Sequence, residues 1–440
     1  MKKESDKLDL TQKLGVLCIF SVFLDKTIQG AGFPFDFYYY YVAFIFFLLS
    51  LIYQNKKIFL PPKWFLLGFG AIAIAGFFVT MYKGILGFTY LKQLLGIVFT
   101  SLVSYNIFVV FKFNARRIFE YYLFFAFLVA LHGVFDNFLH IAGIHLTQYS
   151  VVAPFIIREY GIMGEPFYLA MAITPALAYY TCYFQRTWKH LKFRYLALLG
   201  CYLVTYSSTA LMGIGLSVFF SLYLNNFFNA RSNRFVFAPL IIAPIVLLIV
   251  NLIDTISLFN KRYYDTTSLF LSKEIDVKEA GKSNSSTFAL YSNFVIARDS
   301  FLENPLFGSG LGSHPLIYES TFLKYFPPNY LKGYGAQNQQ DANSRFLRLL
   351  SETGLLGTVL FLLFVIYYFA PKSAIRSSAG KEIAAINYAI FIYIVLGLIR
   401  NGNYINIGFF FFFFMYYVTN RLLVNNPVLH TNKRLSPGLR

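Results

Sequence analysis

Residues 349–369 read LLSETGLLGTVLFLLFVIYYF, an apolar run carrying a single charge at Glu352. At about 1.5 Å of rise per residue, a helix over this run spans the roughly 30 Å hydrocarbon core of a bilayer. The same reading extends outward along the chain. Further apolar stretches fall at 14–32, 37–53, 64–82, 85–110, 118–140, 166–184, 195–207, 209–224, 235–253, 383–399 and 405–422, which brings the total to twelve. In lipid each must be helical, because backbone groups find no partner there outside a helix or a closed barrel. The seventh and eighth stretches separate at Ser207-Ser208-Thr209. A single helix over both would be about 45 Å long, too long for one crossing. The expected fold class is an all-α polytopic membrane protein with about twelve transmembrane helices.

Composition agrees. Of 440 residues, 57% are hydrophobic and 13% are charged, and the mean hydropathy is +0.55. Soluble domains carry about 25% charged residues, so disorder, coiled coils and disulfide scaffolds are excluded along with ordinary globules. The net charge of +18 invites a nucleic-acid reading, but the twelve-span topology accounts for it. One side of the membrane holds 23 of the 38 basic residues with five acids, and the remaining fifteen bases and fifteen acids cancel. This is positive-inside bias, which places both termini in the cytoplasm and gives nucleic acid no role. Cys18, Cys182 and Cys201 sit in apolar stretches with neither disulfide nor metal spacing. Lys2, Lys3, Lys7 and Lys13 precede the first apolar run as in a signal peptide, but no small-x-small site follows. An uncleaved first span is expected, although Asp25 and Lys26 interrupt it.

Two outer loops are long, 140–165 and 254–347. The expected organisation is a membrane bundle over 1–253, an external loop subdomain over 254–347, and a second membrane part with a cytoplasmic tail over 348–440. Apolar residues from Phe288 to Leu302 recur at helical spacing, which predicts an amphipathic helix lying on the membrane face and ending at Asn304-Pro305. The two halves of the chain show no mutual similarity, which weighs against a transporter built from duplicated halves.

Several outer residues could carry chemistry. Arg158 and Glu165 lie within REYGIMGEP (158–166), where Pro166 suits a first helical position and Glu165 its cap. Arg158 offers a guanidinium fork for phosphate or carboxylate, or is simply interfacial. Asp341, Arg345, Arg348 and Glu352 are spaced to share a helical face, as a structural ion ladder or as the polar wall of an active site. Lys92 and Asp136 fall at matching depths and form a plausible buried pair, more often structural than functional. Arg298 precedes Gly308, Gly310 and Gly312, with His314 just after. Glycines let a backbone approach a phosphate or sugar, though a solvated loop histidine is the plainer reading of His314. Arg400 lies in the last external turn, where it snorkels or adds a cation to the outer face.

Four stretches in this order resemble the bacterial O-antigen polymerase/ligase family, polytopic glycosyltransferases of the GT-C type. They are REYGIMGEP (158–166), YSSTALMGIGL (206–216), RDSFLENPLFGSGLG (298–312) and NSRFLRLLSETGLLG (343–357). In many members of the family, ligases especially, a His-Asn pair stands in the closing motif. Here Asn343 occupies the histidine's place, followed by Ser344, and Asp341 is the nearest replacement. The resemblance therefore implies a polymerase of the bacterial inner membrane, working at its periplasmic face in O-antigen or capsule assembly. Its substrates would be undecaprenyl-pyrophosphate-linked oligosaccharides as donor and acceptor, and a chain-length regulator is a further partner. No cofactor or metal is expected. Asp341 and Glu165 are the catalytic candidates. Arg158, Arg298, Arg345, Arg348, Arg400, Asn343, His314 and Lys92 are the candidates for binding pyrophosphate and glycan. The alternatives are an O-antigen ligase or other lipid-linked glycan transferase and, in another class, a lipid-glycan flippase.

Overall fold

The computed structural model describes residues 7–26, 37–85, 87–145, 147–153, 156–225, 267–270, 277–283, 285–333, 338–375, 377–406 and 408–425. The apolar stretch 235–253 lies outside them. The described chain is mostly helical. Its first helices are α1 (Leu10–Phe20), α2 (Tyr39–Tyr53), α3 (Lys63–Tyr82), α4 (Phe88–Val110) and α5 (Ala115–Ile141). A hairpin of β1 (Tyr149–Ala153) and β2 (Ile156–Glu159) follows, antiparallel and pairing Ser150 with Arg158. Then come α6 (Pro166–Cys182), α7 (Phe184–His190), α8 (Lys192–Val204) and α9 (Ser208–Leu224). The large loop supplies α10 (Val277–Lys282), α11 (Ser285–Glu303), α12 (His314–Tyr325) and α13 (Pro328–Gly333). The chain returns through α14 (Arg345–Tyr367), α15 (Ser378–Arg400) and α16 (Phe409–Asn425).

Among the described residues, α3, α4, α5, α14 and α15 are long and apolar enough to cross a membrane. Helices also stand at the other predicted stretches that are described, but these are shorter. The first is displaced towards the N-terminus: α1 starts at Leu10, where Asp9 and Gln12 form a capping box. The seventh and eighth stretches do separate, with Tyr206 at φ 44° and Ser207 as the N-cap of α9. Leu67, Ile74, Phe78 and Met81 of α3 are exposed. Large apolar side chains fanned outward in this way suit a lipid-facing surface. At the centre, α6 is almost wholly buried and packs on α9 and α15, and α15 in turn packs on α16.

The large loop is not a tether. Phe288, Tyr291, Val295, Tyr318, Phe322 and Phe326 form a second apolar cluster within it. The expected helix exists as α11, but its burial is not the one-sided pattern of an amphipathic helix. Its polar Ser292, Asn293 and Ser300 are buried, and Leu302 on the predicted apolar face is exposed. The helix packs instead against α12 and α14.

That packing centres on a break in α14. Gly354 has φ 58° and ψ −152° inside the helix. In a continuous helix the amides of Leu355 and Leu356 would donate to the carbonyls of Ser351 and Glu352. They donate instead to the carbonyls of Pro305 (2.8 Å) and Leu306 (3.0 Å). The carbonyls so released accept from the amides of Ser309 and Gly310, each at 2.8 Å. The loop backbone thus repairs both broken helical bonds, as buried backbone groups require. Ser300 Oγ adds a bond to the Ser351 carbonyl at 3.0 Å. Gly308, Gly310 and Gly312, all at positive φ, make this clasp possible. They admit helix backbone rather than phosphate. A Cβ on Gly308 would lie 2.6 Å from backbone atoms of Glu352, Thr353 and Gly354. A Cβ on Gly312 would lie 2.8 Å from the Thr89 carbonyl oxygen.

Gly308→Ala combines left-handed strain with overlap against backbone, and should cost about 3 kcal/mol or more. Gly84, also at positive φ (+66°) but with no heavy atom within 4 Å of an added Cβ, is the control. Gly84→Ala should cost about 1–2 kcal/mol from strain alone. Thermal unfolding midpoints of the purified protein in detergent check this, and equal losses would remove the clasp as a source of stability.

Candidate active site

Three carboxylates from distant parts of the chain share one electrostatic environment at one end of the helix bundle, its mouth. Glu165 caps α6, with Pro166 at the first helical position as the sequence predicts. Asp341 lies in the turn that leads into α14, where its Oδ1 accepts from the Asn343 amide at 3.0 Å. Asp25, in the turn after α1, is buried and accepts from the Gly164 amide at 3.1 Å on each oxygen. Tyr168, in the first turn of α6, stands among all three. Asp25 and Tyr168 were not identified as site residues from sequence. The signal for Asp25 was present, since an acid that interrupts an apolar stretch seldom faces lipid.

Desolvation dominates these groups. Glu165 keeps one side open, yet the protein around it raises its pKa, and the charge of Asp341 raises it further. Arg158 and Arg400 pull in the opposite direction. Asp341 is raised by burial against the lowering effects of the Asn343 amide, Arg348 and Arg400. Asp25 is pushed up to about 6 by burial, and its bond from Gly164 only partly offsets this.

The cations sort into two sets. Arg158 Nε donates to the Thr205 carbonyl at 3.1 Å, which ties the 158–166 stretch to the start of the 206–216 stretch. Arg400, at the end of α15, reaches Asn343: with the Asn343 amide oxygen turned toward it, Nη1 donates at 3.2 Å. Both guanidiniums are half-buried at the mouth. Arg345 and Arg348 are buried and inward. Arg345 Nη2 donates to the Asn403 carbonyl at 3.0 Å, and its guanidinium lies 4.0 Å over the Phe409 ring. Its Nε and Nη1 have no hydrogen-bond partner among the described residues. Arg348 donates to Glu352 (3.0 Å), the Gly402 carbonyl (3.2 Å) and Gln93 (2.9 Å). The predicted ladder is therefore half formed. Arg348 pairs with Glu352, whereas Arg345 turns to the 401–404 turn and leaves Asp341. Gly402 admits the approach of Asp341, whose carbonyl oxygen would overlap any Cβ there.

Three expectations are corrected. Arg298 does not join Arg158. It pairs with its neighbour Asp299 at 2.9 Å and lies 5.8 Å over the Tyr325 ring, and the arginines acting on Glu165 and Asp341 are Arg158, Arg348 and Arg400. His314 is not solvated. It is fully buried between Asn293 Oδ1 (2.9 Å) and Ser351 Oγ (3.1 Å), and burial with the charge of Arg348 pushes its pKa down to about 3. It is a neutral brace of the clasp. Lys92 is not the partner of Asp136, whose carboxylate hydrogen-bonds Thr147 and faces His140.

Below this mouth, α3, α14 and α16 enclose a groove of about 180 Å³. Trp64, Phe69, Leu360, Phe361 and Phe413 line it, and Arg345 and Tyr404 also contribute to its wall.

Residues 193–362 match a family model described as O-antigen ligase. The match supports membership of the O-antigen polymerase/ligase family. It takes in three of the four motif stretches and leaves Arg158–Pro166 outside. None of the curated proteins compared matches the chain.

The buried Asp25 carboxyl sets a pH dependence. Its value rises from 3.8 to about 6 on burial, so the folded state holds the proton more tightly than the unfolded state. This group therefore costs stability as pH rises from about 4 to 6. The wild type should lose thermal stability across that window relative to Asp25→Asn. Parallel melting curves for the two proteins would show that Asp25 titrates normally.

Proposed function

On the family membership that this match supports, we propose that the chain is a polysaccharide polymerase of the bacterial inner membrane. It transfers a polyprenyl-pyrophosphate-linked glycan onto a second lipid-linked repeat unit at the periplasmic face. The observation that carries the reading is the meeting of two carboxylates, Glu165 and Asp341, at one mouth, with Arg158 acting on Glu165 and Arg400 on both. Such a transfer needs a base for the acceptor hydroxyl and fixed positive charge for a pyrophosphate leaving group.

In the proposed step the acceptor hydroxyl oxygen attacks the anomeric carbon of the donor sugar. The bond from that carbon to the pyrophosphate oxygen breaks, and the hydroxyl proton passes to Asp341. The polyprenyl pyrophosphate departs with the bonding electrons, its charge matched by Arg158 and Arg400 through charge-assisted hydrogen bonds. The apolar groove beside Arg345 suits a prenyl chain. Twelve crossings with both termini in the cytoplasm would put this mouth on the periplasmic side.

A ligase is the second reading, because the matching family model is described as one. Asn343, at the place of the ligase-type histidine, supports the polymerase instead. The acceptor separates them: purified protein given lipid-linked repeat units alone should produce a ladder of lengths, whereas a ligase would require a lipid A–core acceptor.

Asp341→Asn keeps shape and removes basicity, so the rate should fall roughly 10²-fold or more. The acid limb of the wild-type rate profile should also lie above that of an ordinary aspartate, because burial raises the Asp341 pKa. If Asp341→Asn polymerises normally while Glu165→Gln does not, the base is Glu165. Arg158→Lys and Arg400→Lys retain charge but lose the bidentate fork, and should shorten the polymer without affecting membrane insertion.

A further inference from the structure

Away from this mouth, the last turns of α5 and the end of β2 bury a second set of ionisable groups. Asp136, His140 and Glu159 are 1%, 3% and 0% exposed. One donor atom from each lies within 4.8 Å of the other two. Glu159 is held firmly. Its Oε1 accepts from the amides of Tyr160 (3.2 Å) and Gly161 (3.1 Å) and from Thr147 Oγ1 (3.2 Å). Its Oε2 lies 3.0 Å from His140 Nδ1. A neutral ring donating from Nδ1 across that contact keeps a lone pair on Nε2. Nε2 and Asp136 Oδ1 then face each other at 3.7 Å, and both are buried without a hydrogen-bond partner. Asp136 Oδ2 is taken by Thr147.

We propose that His140 Nε2 and Asp136 Oδ1, one turn apart on α5, bind a divalent transition-metal ion, with Glu159 orienting the imidazole from the end of β2. Two donors on a tetrahedral zinc ion, each about 2.0–2.1 Å from it, stand roughly 3.4 Å apart, so the observed gap needs an adjustment of a few tenths of an ångström. A carboxylate behind the ligating histidine is the usual way a metal site fixes ring orientation and basicity. Two otherwise unsatisfied buried atoms acquire a partner, and water completes the shell. By fixing the His140 ring, the ion would steady its bond to Glu159 and with it the end of the strand that carries Arg158, one residue before Glu159. His140 and Glu159 are 19 positions apart on a helix end and a strand, so no sequence spacing links them.

The test uses the full-length protein in detergent, stripped with a chelator and titrated with Co²⁺ and, separately, Zn²⁺. The wild type should bind one equivalent of Co²⁺ with visible d–d absorption, and Zn²⁺ should raise its melting temperature. Asp136→Asn and His140→Ala should lose both responses, and Glu159→Gln should bind 10–100-fold more weakly. A wild type without Co²⁺ absorption or a Zn²⁺-dependent melting shift would overturn the proposal, as would full responses in Asp136→Asn and His140→Ala. These readouts do not depend on glycan transfer, so they stand or fall separately from the polymerase reading.

Discussion

The break at Gly354 is the constraint on which the packing of the large loop against the bundle depends. A helix interrupted at membrane depth exposes two amides and two carbonyls, and lipid offers no partner for any of them. Here the loop between Pro305 and Gly310 supplies all four partners. Because the repair is backbone to backbone, it tolerates no side chain on Gly308. The loop and α14 therefore form one unit, which His314, Ser300 and Ser309 brace from the loop side. Lys83, at the end of α3, reaches both Ser309 and Glu303 and carries the connection to a third helix.

Above the break, α14 carries two buried guanidiniums that would be expensive without partners. Arg348 finds a carboxylate, a carbonyl and an amide oxygen, and lies 4.5 Å over the Tyr404 ring. Arg345 finds the Asn403 carbonyl and the face of Phe409. Both reach the 401–404 turn, so the charges hold that turn against the helix start. Gly402 then lies directly against Asp341, and Arg400 against Asn343. The two inward arginines thus position the neighbourhood of the outward one.

Much of the helix layout was legible in the sequence, because lipid demands long apolar runs and helical backbone. The breaks at Ser207 and at the Glu165–Pro166 cap were legible too, since they rest on local chemistry. The clasp was not. Gly308, Gly310 and Gly312 suggest a cradle for some close-approaching group, but nothing local distinguishes a phosphate from another stretch of the same backbone. His314 looks like a loop histidine until its partners, Asn293 and Ser351, arrive from positions 21 and 37 residues away. Arg158 and Arg298 look equivalent as external cations. Only the fold gives Arg298 to Asp299 and leaves Arg158 beside Glu165. Asp25 was visible as an interruption of an apolar stretch, but its contact with Gly164 joins positions 139 residues apart.

The balance of forces at the mouth bears on how cations and carboxylates can share one site. If Glu165 and Asp341 were ordinary ionised acids, Arg158 and Arg400 would be committed to them, and an incoming pyrophosphate would have to displace those pairs. Burial raises both carboxyls despite the arginines, so the acids compete weakly for the guanidiniums. The same shift brings a carboxylate closer to the working pH, where a general base is most effective. The raised carboxyl pKa values thus weaken the acids' hold on the guanidiniums and, in the proposed reaction, tune the base for a hydroxyl.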